Sequence, residues 1–179
     1  MLQRAIFIDR DGTIGGSDQV EYPGEFKLFP HVRDSIDKLK KSGWFIFSFT
    51  NQPGISKGKA AKEDYELELK EFGFDKVYLC AHQQNEGCKC RKPSTGKLVQ
   101  AAMENDLDLQ ECVVIGDRWT DMIAAHEAGC RKVLVRTGAG EEAFTNYKNS
   151  AYYGIWGAVS PDYVAPEFQE AANWILATI

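Results

Sequence analysis

The sequence predicts an α/β protein built on a doubly wound, Rossmann-like parallel sheet. Short apolar runs alternate with amphipathic stretches, and each run ends in turn residues. A short apolar run bounded by turn residues is typical of a strand buried on both faces. Strands that alternate with helices form parallel sheets through right-handed crossovers. The predicted strands are residues 5–8, 44–49, 77–79, 113–115 and 133–135.

The segments between these runs have the pattern of helices. Apolar residues recur on one face of residues 31–41, with Pro30 before them and Gly43 after them as start and stop signals. Further helices are predicted over residues 97–105, 121–128 and 166–177. The sequence contains no internal repeat, low-complexity tract or long linker. We therefore expect residues 1–179 to form a single domain.

Composition and charge limit the classes of partner. The chain is 44% hydrophobic and 26% charged, which is ordinary for a globular protein, and its net charge of −5 disfavours a nucleic acid. A small phosphorylated metabolite remains compatible with that charge. No apolar stretch approaches the ~20 residues of a membrane helix, and Met1–Arg4 leads directly into the first strand without a secretory signal. We expect a cytoplasmic location and no membrane partner; no feature indicates an oligomeric state.

Two aspartates follow the first predicted strand. Asp9 and Asp11 belong to the sequence Asp-Arg-Asp-Gly-Thr, at the strand end where open α/β sheets bind ligands. Two neighbouring carboxylates repel each other, and burying them is costly unless a cation such as a divalent metal joins them. The alternative is a turn in which aspartate caps the backbone and glycine supplies a positive φ angle.

Polar residues follow two further segments. Thr50, Asn51 and Gln52 come after the second strand and could bind phosphate oxygens, although Thr-Asn-Gln-Pro-Gly is also a good turn. Arg91 and Lys92 could offset the charge of a phosphate dianion, or could form a solvated basic pair.

The fourth predicted strand also ends in acidic residues. Asp117 follows it directly, and Asp121 lies one helical turn further along the chain. Asp117 would lie at the same edge of the sheet as Asp9. The simple alternative for Asp121 is that its side chain caps the following helix.

Four residues with sulfur or nitrogen donor atoms cluster between residues 80 and 90. Cys80, His82, Cys88 and Cys90 offer three thiolates and one imidazole, which fit a closed, structural, tetrahedral Zn²⁺ site. The odd total of five cysteines fits a reducing compartment. A redox pair is less favoured because Cys-x-x-Cys is absent, and four unrelated loop residues are the remaining alternative.

Taken together, these motifs resemble those of the haloacid dehalogenase superfamily. Asp-Arg-Asp-Gly-Thr, Thr-Asn-Gln-x-Gly-Ile, Cys-x-His…Cys-x-Cys-Arg-Lys-Pro and Gly-Asp-x-x-x-Asp occur in the superfamily's order. The zinc-type cluster makes the chain similar to its heptose-bisphosphate phosphatase and histidinol-phosphatase branch. The likeness runs from about Arg4 to Gly138. It implies a flap at about residues 14–29, a zinc loop at residues 80–90 and no large cap domain.

The resemblance also implies roles for individual residues. Asp9 would be the nucleophile that forms an aspartyl-phosphate, and Asp11 the general acid and base. Thr50 and Lys92 would act with them on the phosphoryl group. Mg²⁺ would be bound by Asp9, Asp117 and the backbone carbonyl of Asp11. The residues expected to bind substrate are Thr50, Asn51, Gln52, Arg91, Lys92 and Arg118.

The activity implied is a Mg²⁺-dependent phosphomonoesterase acting on a small phosphorylated metabolite. The best candidate substrate is D-glycero-D-manno-heptose 1,7-bisphosphate, with histidinol phosphate as the alternative. A DNA 3′-phosphatase, which uses a similar Thr-Asn-Gln loop, is disfavoured by the acidic charge. A non-catalytic, zinc-stabilised module is disfavoured because Asp9, Asp11, Lys92 and Asp117 are all retained. The flap lacks the Asn and Gly-Tyr-Val typical of heptose enzymes, and the aromatic segment 144–156 is expected to be packing rather than a binding wall.

Overall fold

The computed structural model describes residues 3–17 and 19–179. In them six parallel strands form one sheet with helices on both faces. The strands are β1 (Ala5–Ile8), β2 (Phe45–Asn51), β3 (Lys76–Cys80), β4 (Val113–Gly116), β5 (Arg131–Val135) and β6 (Tyr163–Ala165). The helices are α1 (Val32–Lys41), α2 (Lys62–Glu71), α3 (Gly96–Asn105), α4 (Trp119–Ala128), α5 (Gly140–Lys148) and α6 (Phe168–Thr178). Two short 3₁₀ turns cover Gln84–Glu86 and Leu109–Glu111.

The strand order is β3-β2-β1-β4-β5-β6, which is the doubly wound order that the sequence predicts. β1 lies in the middle, where Ile8 pairs with Ser48 of β2 and with Ile115 of β4. The chain winds outward in one direction from β1 to β3 and in the other from β4 to β6. Ligands bind at such a reversal point, beyond the carboxyl ends of the strands. The predicted fold class is confirmed.

The apolar strand sequences are explained by burial on both faces. Every residue of β1 and β4 is buried. One face packs against α1 and α6, with Ile36 and Ile175 fully buried, and the other packs against α3 and α4, with Leu98 and Ala124 fully buried. A strand enclosed in this way has no polar side, so it appears in the sequence as a continuous apolar run.

The structure adds elements that the apolar pattern did not indicate. β6 has three residues, and α2 buries only Tyr65, Glu68 and Leu69 of its ten. The start of the aromatic segment 144–156 forms the end of α5, and the rest of the segment packs against α4. There the Tyr152 ring stacks on the Trp119 ring with centroids 4.5 Å apart, and Trp119 Nε1 donates a hydrogen bond to the backbone oxygen of Trp156 at 3.1 Å.

The predicted flap, about residues 14–29, is closed on itself by backbone hydrogen bonds. Gly16 N donates to the oxygen of Lys27 at 3.0 Å, and Phe29 N donates to the oxygen of Ile14 at 2.9 Å. Asp18 of this segment lies outside the described residues. Within the described part of the chain, β1 and β2 are joined only by the flap and α1, and β2 and β3 only by α2, so neither connection carries a cap domain. None of the described helices is long and apolar enough to cross a membrane.

Candidate active site

The parallel sheet brings the predicted site residues to one edge. Asp9 follows β1, Thr50 and Asn51 end β2, and Asp117 follows β4. Since β1 is hydrogen-bonded to both β2 and β4, these four residues lie at adjacent strand ends. Thr50, Asp9 and Asp117 are buried.

Lys92 lies at the centre of this edge and is only 5% exposed. Its Nζ contacts Asp121 Oδ1 at 2.6 Å and Asp9 Oδ1 at 3.1 Å, and it donates a hydrogen bond to the backbone oxygen of Phe49 at 2.8 Å. Burial alone would lower the pKa of Lys92, but the charges of Asp121 and Asp9 outweigh it and raise the pKa to about 12. The side chain is therefore positively charged at any ordinary pH.

Asp9 and Asp121, which contact this lysine, form a carboxylate group with Asp117. Asp9, Asp117 and Asp121 are all buried, and each places one oxygen within 4.8 Å of the others. Burial, followed by the charges of Asp9 and Asp121, raises the pKa of Asp117 to about 8. When all three carboxyl groups are ionised, Lys92 balances one of their negative charges, which leaves two. A divalent ion that prefers oxygen ligands, such as Mg²⁺, fits this donor set in both charge and chemistry.

Asp121 has both of its carboxylate oxygens occupied by protein groups. Oδ1 accepts from Lys92, while Oδ2 accepts from the backbone N–H of Arg118 at 3.0 Å and so caps α4. The sequence suggested the cap but not the contact with Lys92. The absence of a side chain at Gly116 is required here, because a Cβ atom would overlap the carboxyl group of Asp121.

Asp117 is held by groups from two loops. Thr13 Oγ1 donates to its Oδ1 at 3.1 Å, and the backbone N–H of Ala139 donates to its Oδ2 at 2.8 Å. Gly12 and Gly138 pack against the same carboxyl group, at φ angles of 81° and 55°, and a Cβ atom at either would overlap it. Sequence reasoning missed the contribution of the loop after β5, whose one signal was the sequence Gly138-Ala-Gly after an apolar strand.

Asp11 lies apart from the three-carboxylate group. Its Oδ1 accepts from Arg10 Nη1 at 2.7 Å and its Oδ2 from Gln52 Nε2 at 2.6 Å. The side chain is 42% exposed and so opens to the solvent side of the site. Desolvation by the surrounding protein and the nearby charge of Asp9 nevertheless raise its pKa, against the opposing charge of Arg10. Such a carboxyl group is suited to giving and taking a proton.

The remaining predicted substrate-binding residues surround this edge. Asn51 Oδ1 accepts from the backbone N–H of Lys92 at 3.1 Å, and Gln52 Nε2 also reaches Thr50 Oγ1 at 3.0 Å. Arg91 is half-buried, and Arg118 is exposed at the start of α4.

The four predicted zinc ligands come together at the end of β3. Cys80 Sγ lies 3.4 Å from His82 Nδ1, 3.6 Å from Cys88 Sγ and 3.2 Å from Cys90 Sγ. All four ligand atoms lie within 4.8 Å of one another. Ligands at about 2.3 Å from a tetrahedral Zn²⁺ would be about 3.8 Å apart, so the cluster has the size and chemistry for that ion.

Comparison with known proteins identifies the family. Residues 17–129 match the family described as haloacid dehalogenase-like hydrolase, and residues 89–171 match a second family of haloacid dehalogenase-like hydrolases. The first match alone covers more than half of the chain. The chain belongs to the haloacid dehalogenase-like hydrolase family.

Two curated members of this hydrolase family illustrate the likeness. The D-glycero-D-manno-heptose-1,7-bisphosphate 7-phosphatase of Thermosynechococcus vestitus is 32% identical, over 98% of this chain and 96% of that protein. The D-glycero-beta-D-manno-heptose-1,7-bisphosphate 7-phosphatase of Haemophilus influenzae is 34% identical, over 76% of this chain and 84% of that protein.

A solved structure agrees with them. The D,D-heptose 1,7-bisphosphate phosphatase of B. bronchiseptica, crystallised with magnesium and phosphate, superposes with a TM-score of 0.82 at 26% identity, over 99% of this hydrolase and 100% of that chain. The predicted resemblance is confirmed.

Proposed function

We propose that the protein is a Mg²⁺-dependent phosphatase that works through a phosphorylated aspartate. The observation that carries the proposal is the buried group of Asp9, Asp117 and Asp121, two of which contact Lys92, with the carboxyl group of Asp11 nearby. This arrangement provides a nucleophile, a fixed positive charge, a place for a divalent cation and a separate proton donor.

In the first step a carboxylate oxygen of Asp9 attacks phosphorus, a new P–O bond forms, and the bond to the leaving group breaks. Asp11 gives its proton to the departing oxygen. In the second step Asp11 takes a proton from water, whose oxygen attacks phosphorus. The P–O bond to Asp9 then breaks, releasing phosphate and regenerating the Asp9 carboxylate. Splitting the displacement in this way replaces one difficult step by two easier ones.

The other site residues bind and neutralise the phosphoryl group. Thr50 and Asn51 would donate hydrogen bonds to its oxygens, and Lys92 would offset its charge. Mg²⁺, held by Asp9, Asp117 and the backbone carbonyl of Asp11, would neutralise further charge on the phosphoryl oxygens when bound. Gln52, Arg91 and Arg118 would contact the rest of the substrate.

The proposed substrate is D-glycero-D-manno-heptose 1,7-bisphosphate, which is the substrate in the names of the relatives described above. Those relatives favour it over histidinol phosphate, which none of their names mentions. The net charge of −5 is the reason not to propose DNA or RNA as partner.

The test is phosphate release from a panel containing heptose bisphosphates, histidinol phosphate and a 3′-phosphorylated oligonucleotide, with Mg²⁺ and with chelator. We expect turnover of a sugar phosphate that needs Mg²⁺ and is abolished in Asp9→Asn and Asp11→Asn proteins that still fold. An Asp9→Asn protein as active as the parent would show that the nucleophile is another residue. Complete inactivity across the panel would favour a non-catalytic module, and salt-sensitive turnover of the oligonucleotide would favour the DNA enzyme.

We further propose that Zn²⁺ in the cluster of Cys80, His82, Cys88 and Cys90 is structural. Three thiolate ligands are best maintained in a reducing compartment, which supports a cytoplasmic location.

The single six-stranded sheet supports the proposal that residues 1–179 form one domain.

A further inference from the structure

The loop between the two aspartates contains an arginine with no exposed surface. Arg10 is 0% exposed, and a charged side chain is almost never enclosed unless it is paired. Its guanidinium makes four hydrogen bonds, to Glu68 Oε2 at 2.8 Å, Glu68 Oε1 at 3.2 Å, Asp11 Oδ1 at 2.7 Å and the backbone oxygen of Glu21 at 3.0 Å. The donors of this side chain are thus directed mainly at two carboxylates.

Glu68 fixes the orientation of this guanidinium from α2. It is only 8% exposed, and it accepts two hydrogen bonds from Arg10, a planar pairing that allows little rotation. The guanidinium carbon lies 3.8 Å from the centre of the Phe26 ring and 4.9 Å from that of Tyr65. With Nε and Nη2 paired to Glu68, the guanidinium directs Nη1 at Asp11 and at the backbone oxygen of Glu21.

The consequence for Asp11 follows from donor chemistry. A guanidinium can only donate hydrogen bonds, so Asp11 Oδ1, which faces Arg10, can only accept. A proton carried by Asp11 must therefore be on Oδ2, beside Gln52. The Gln52 amide can accommodate it by turning over so that its oxygen faces Asp11, and the hydroxyl of Thr50 can donate or accept on the other side.

We propose that Glu68 and Arg10 are positioning residues that hold the Asp11 carboxyl group in one orientation, with Oδ1 facing Arg10 and Oδ2, beside Gln52, as the oxygen that transfers the proton to the leaving group. This inference rests on the proposed phosphatase function. It assigns a part in the reaction to α2, a helix that contributes no residue to the phosphoryl-binding edge.

The test compares Glu68→Gln with the parent on two aryl phosphates that differ mainly in their leaving group. p-Nitrophenol leaves readily without protonation, whereas phenol needs a proton from the acid. General acid catalysis contributes about 10²–10⁴-fold, so we expect kcat/KM on phenyl phosphate to fall by about 10²-fold. On p-nitrophenyl phosphate it should fall only a few-fold. kcat/KM is the appropriate measurement because it reports the step in which the leaving group departs.

The matched control is Glu66→Gln on the same helix, where the partly exposed carboxylate pairs with Lys62 at 3.3 Å. It should leave the ratio of the two kcat/KM values unchanged. If Glu68→Gln does not fold, Glu68→Asp keeps the charge but is too short for the paired contact, and it should change the ratio in the same direction by a smaller factor. Thermal melting monitors folding in each case.

The outcomes separate the inference from the function on which it rests. A parent protein that releases phosphate neither from these esters nor from the metabolite panel would contradict the proposed phosphatase function. An active parent whose ratio is unchanged in Glu68→Gln, whether both rates fall equally or neither falls, would show that Glu68 is purely structural and would overturn the inference.

Discussion

Replacement of Lys92 by methionine tests the electrostatic account of the site. Methionine has a similar length but no charge, so Lys92→Met removes the counter-charge of two buried carboxylates and the donor to Phe49 O. Removing one partner of a buried ion pair costs about 3–5 kcal/mol. For a chain of this size each kcal/mol lowers the melting temperature by about 2–4 °C, so we expect a fall of about 6–20 °C.

The protonation of Asp121 decides where in that range the fall lies. Even beside Lys92, burial raises the pKa of Asp121 to about 6, because desolvation outweighs the favourable lysine charge. Without Lys92 that pKa rises further, and Asp121 takes up a proton near neutral pH. We therefore expect the lower part of the range at pH 6 and the upper part at pH 9.

The assay is thermal unfolding in the presence of a chelator, with Lys38→Met as control because Lys38 is exposed on α1, away from the site. Phosphatase activity of Lys92→Met should be lost. Adding Asp121→Asn should recover part of the lost stability, since it removes one of the two orphaned charges, but not the activity. A Lys92→Met protein that melts within 2 °C of the parent, by the conversion used above, would refute this reasoning.

Three further outcomes follow from the same geometry. The parent should contain close to one zinc ion per chain, and Cys88→Ser should lower both the zinc content and the melting temperature, because metal-binding free energy is folding free energy in such a loop. A parent protein that is as stable without metal as with it would contradict this. The raised pKa of Asp117, about 8, means that its neutral form stabilises the metal-free fold below about pH 4 and that this contribution is lost as the pH rises through 8. Mg²⁺ should therefore raise the melting temperature more at pH 8 than at pH 5, and equal shifts at the two pH values would count against the carboxylate cluster as its site. Gly138→Ala should abolish activity by displacing Asp117. The control is Gly154→Ala, which has a similar positive φ angle but nothing within 4 Å of the added Cβ, so it should cost only backbone strain of about 1–2 kcal/mol. Equal effects of the two substitutions on activity would exclude crowding of Asp117 as the cause.

The fold could be predicted because its central strands are buried on both faces. That enclosure gives the apolar runs of β1 and β4, and parallel pairing then places the residue after each run at one edge. β6 escaped prediction because three residues carry no periodicity. The apolar pattern of α2 is weak because its buried positions include a glutamate, Glu68, which a hydrophobic pattern counts as solvent-facing.

The sequence indicates the candidate site residues that lie next to strand ends or to the cysteine cluster, but not the contacts made by residues on helices. Asp9, Asp117 and Lys92 were found because each adjoins an apolar run or a metal-type cluster. The contacts of Asp121 with Lys92, 29 residues apart, and of Glu68 with Arg10, 58 residues apart, depend on how helices dock on the sheet. Acidic side chains that face a buried cation have the same sequence appearance as exposed ones, so no local pattern distinguishes them.

The position of Lys92 between Asp9 and Asp121 has a consequence for biosynthesis and refolding. Asp9 is synthesised well before Asp121 and before the Ala139 N–H that holds Asp117. A nascent or truncated chain that ends before β4 therefore has the proposed nucleophile, Asp9, without Asp117 and Asp121, and we expect it to be inactive. We therefore expect activity during refolding to appear only after both sides of the sheet have assembled, so that turnover would report the native population.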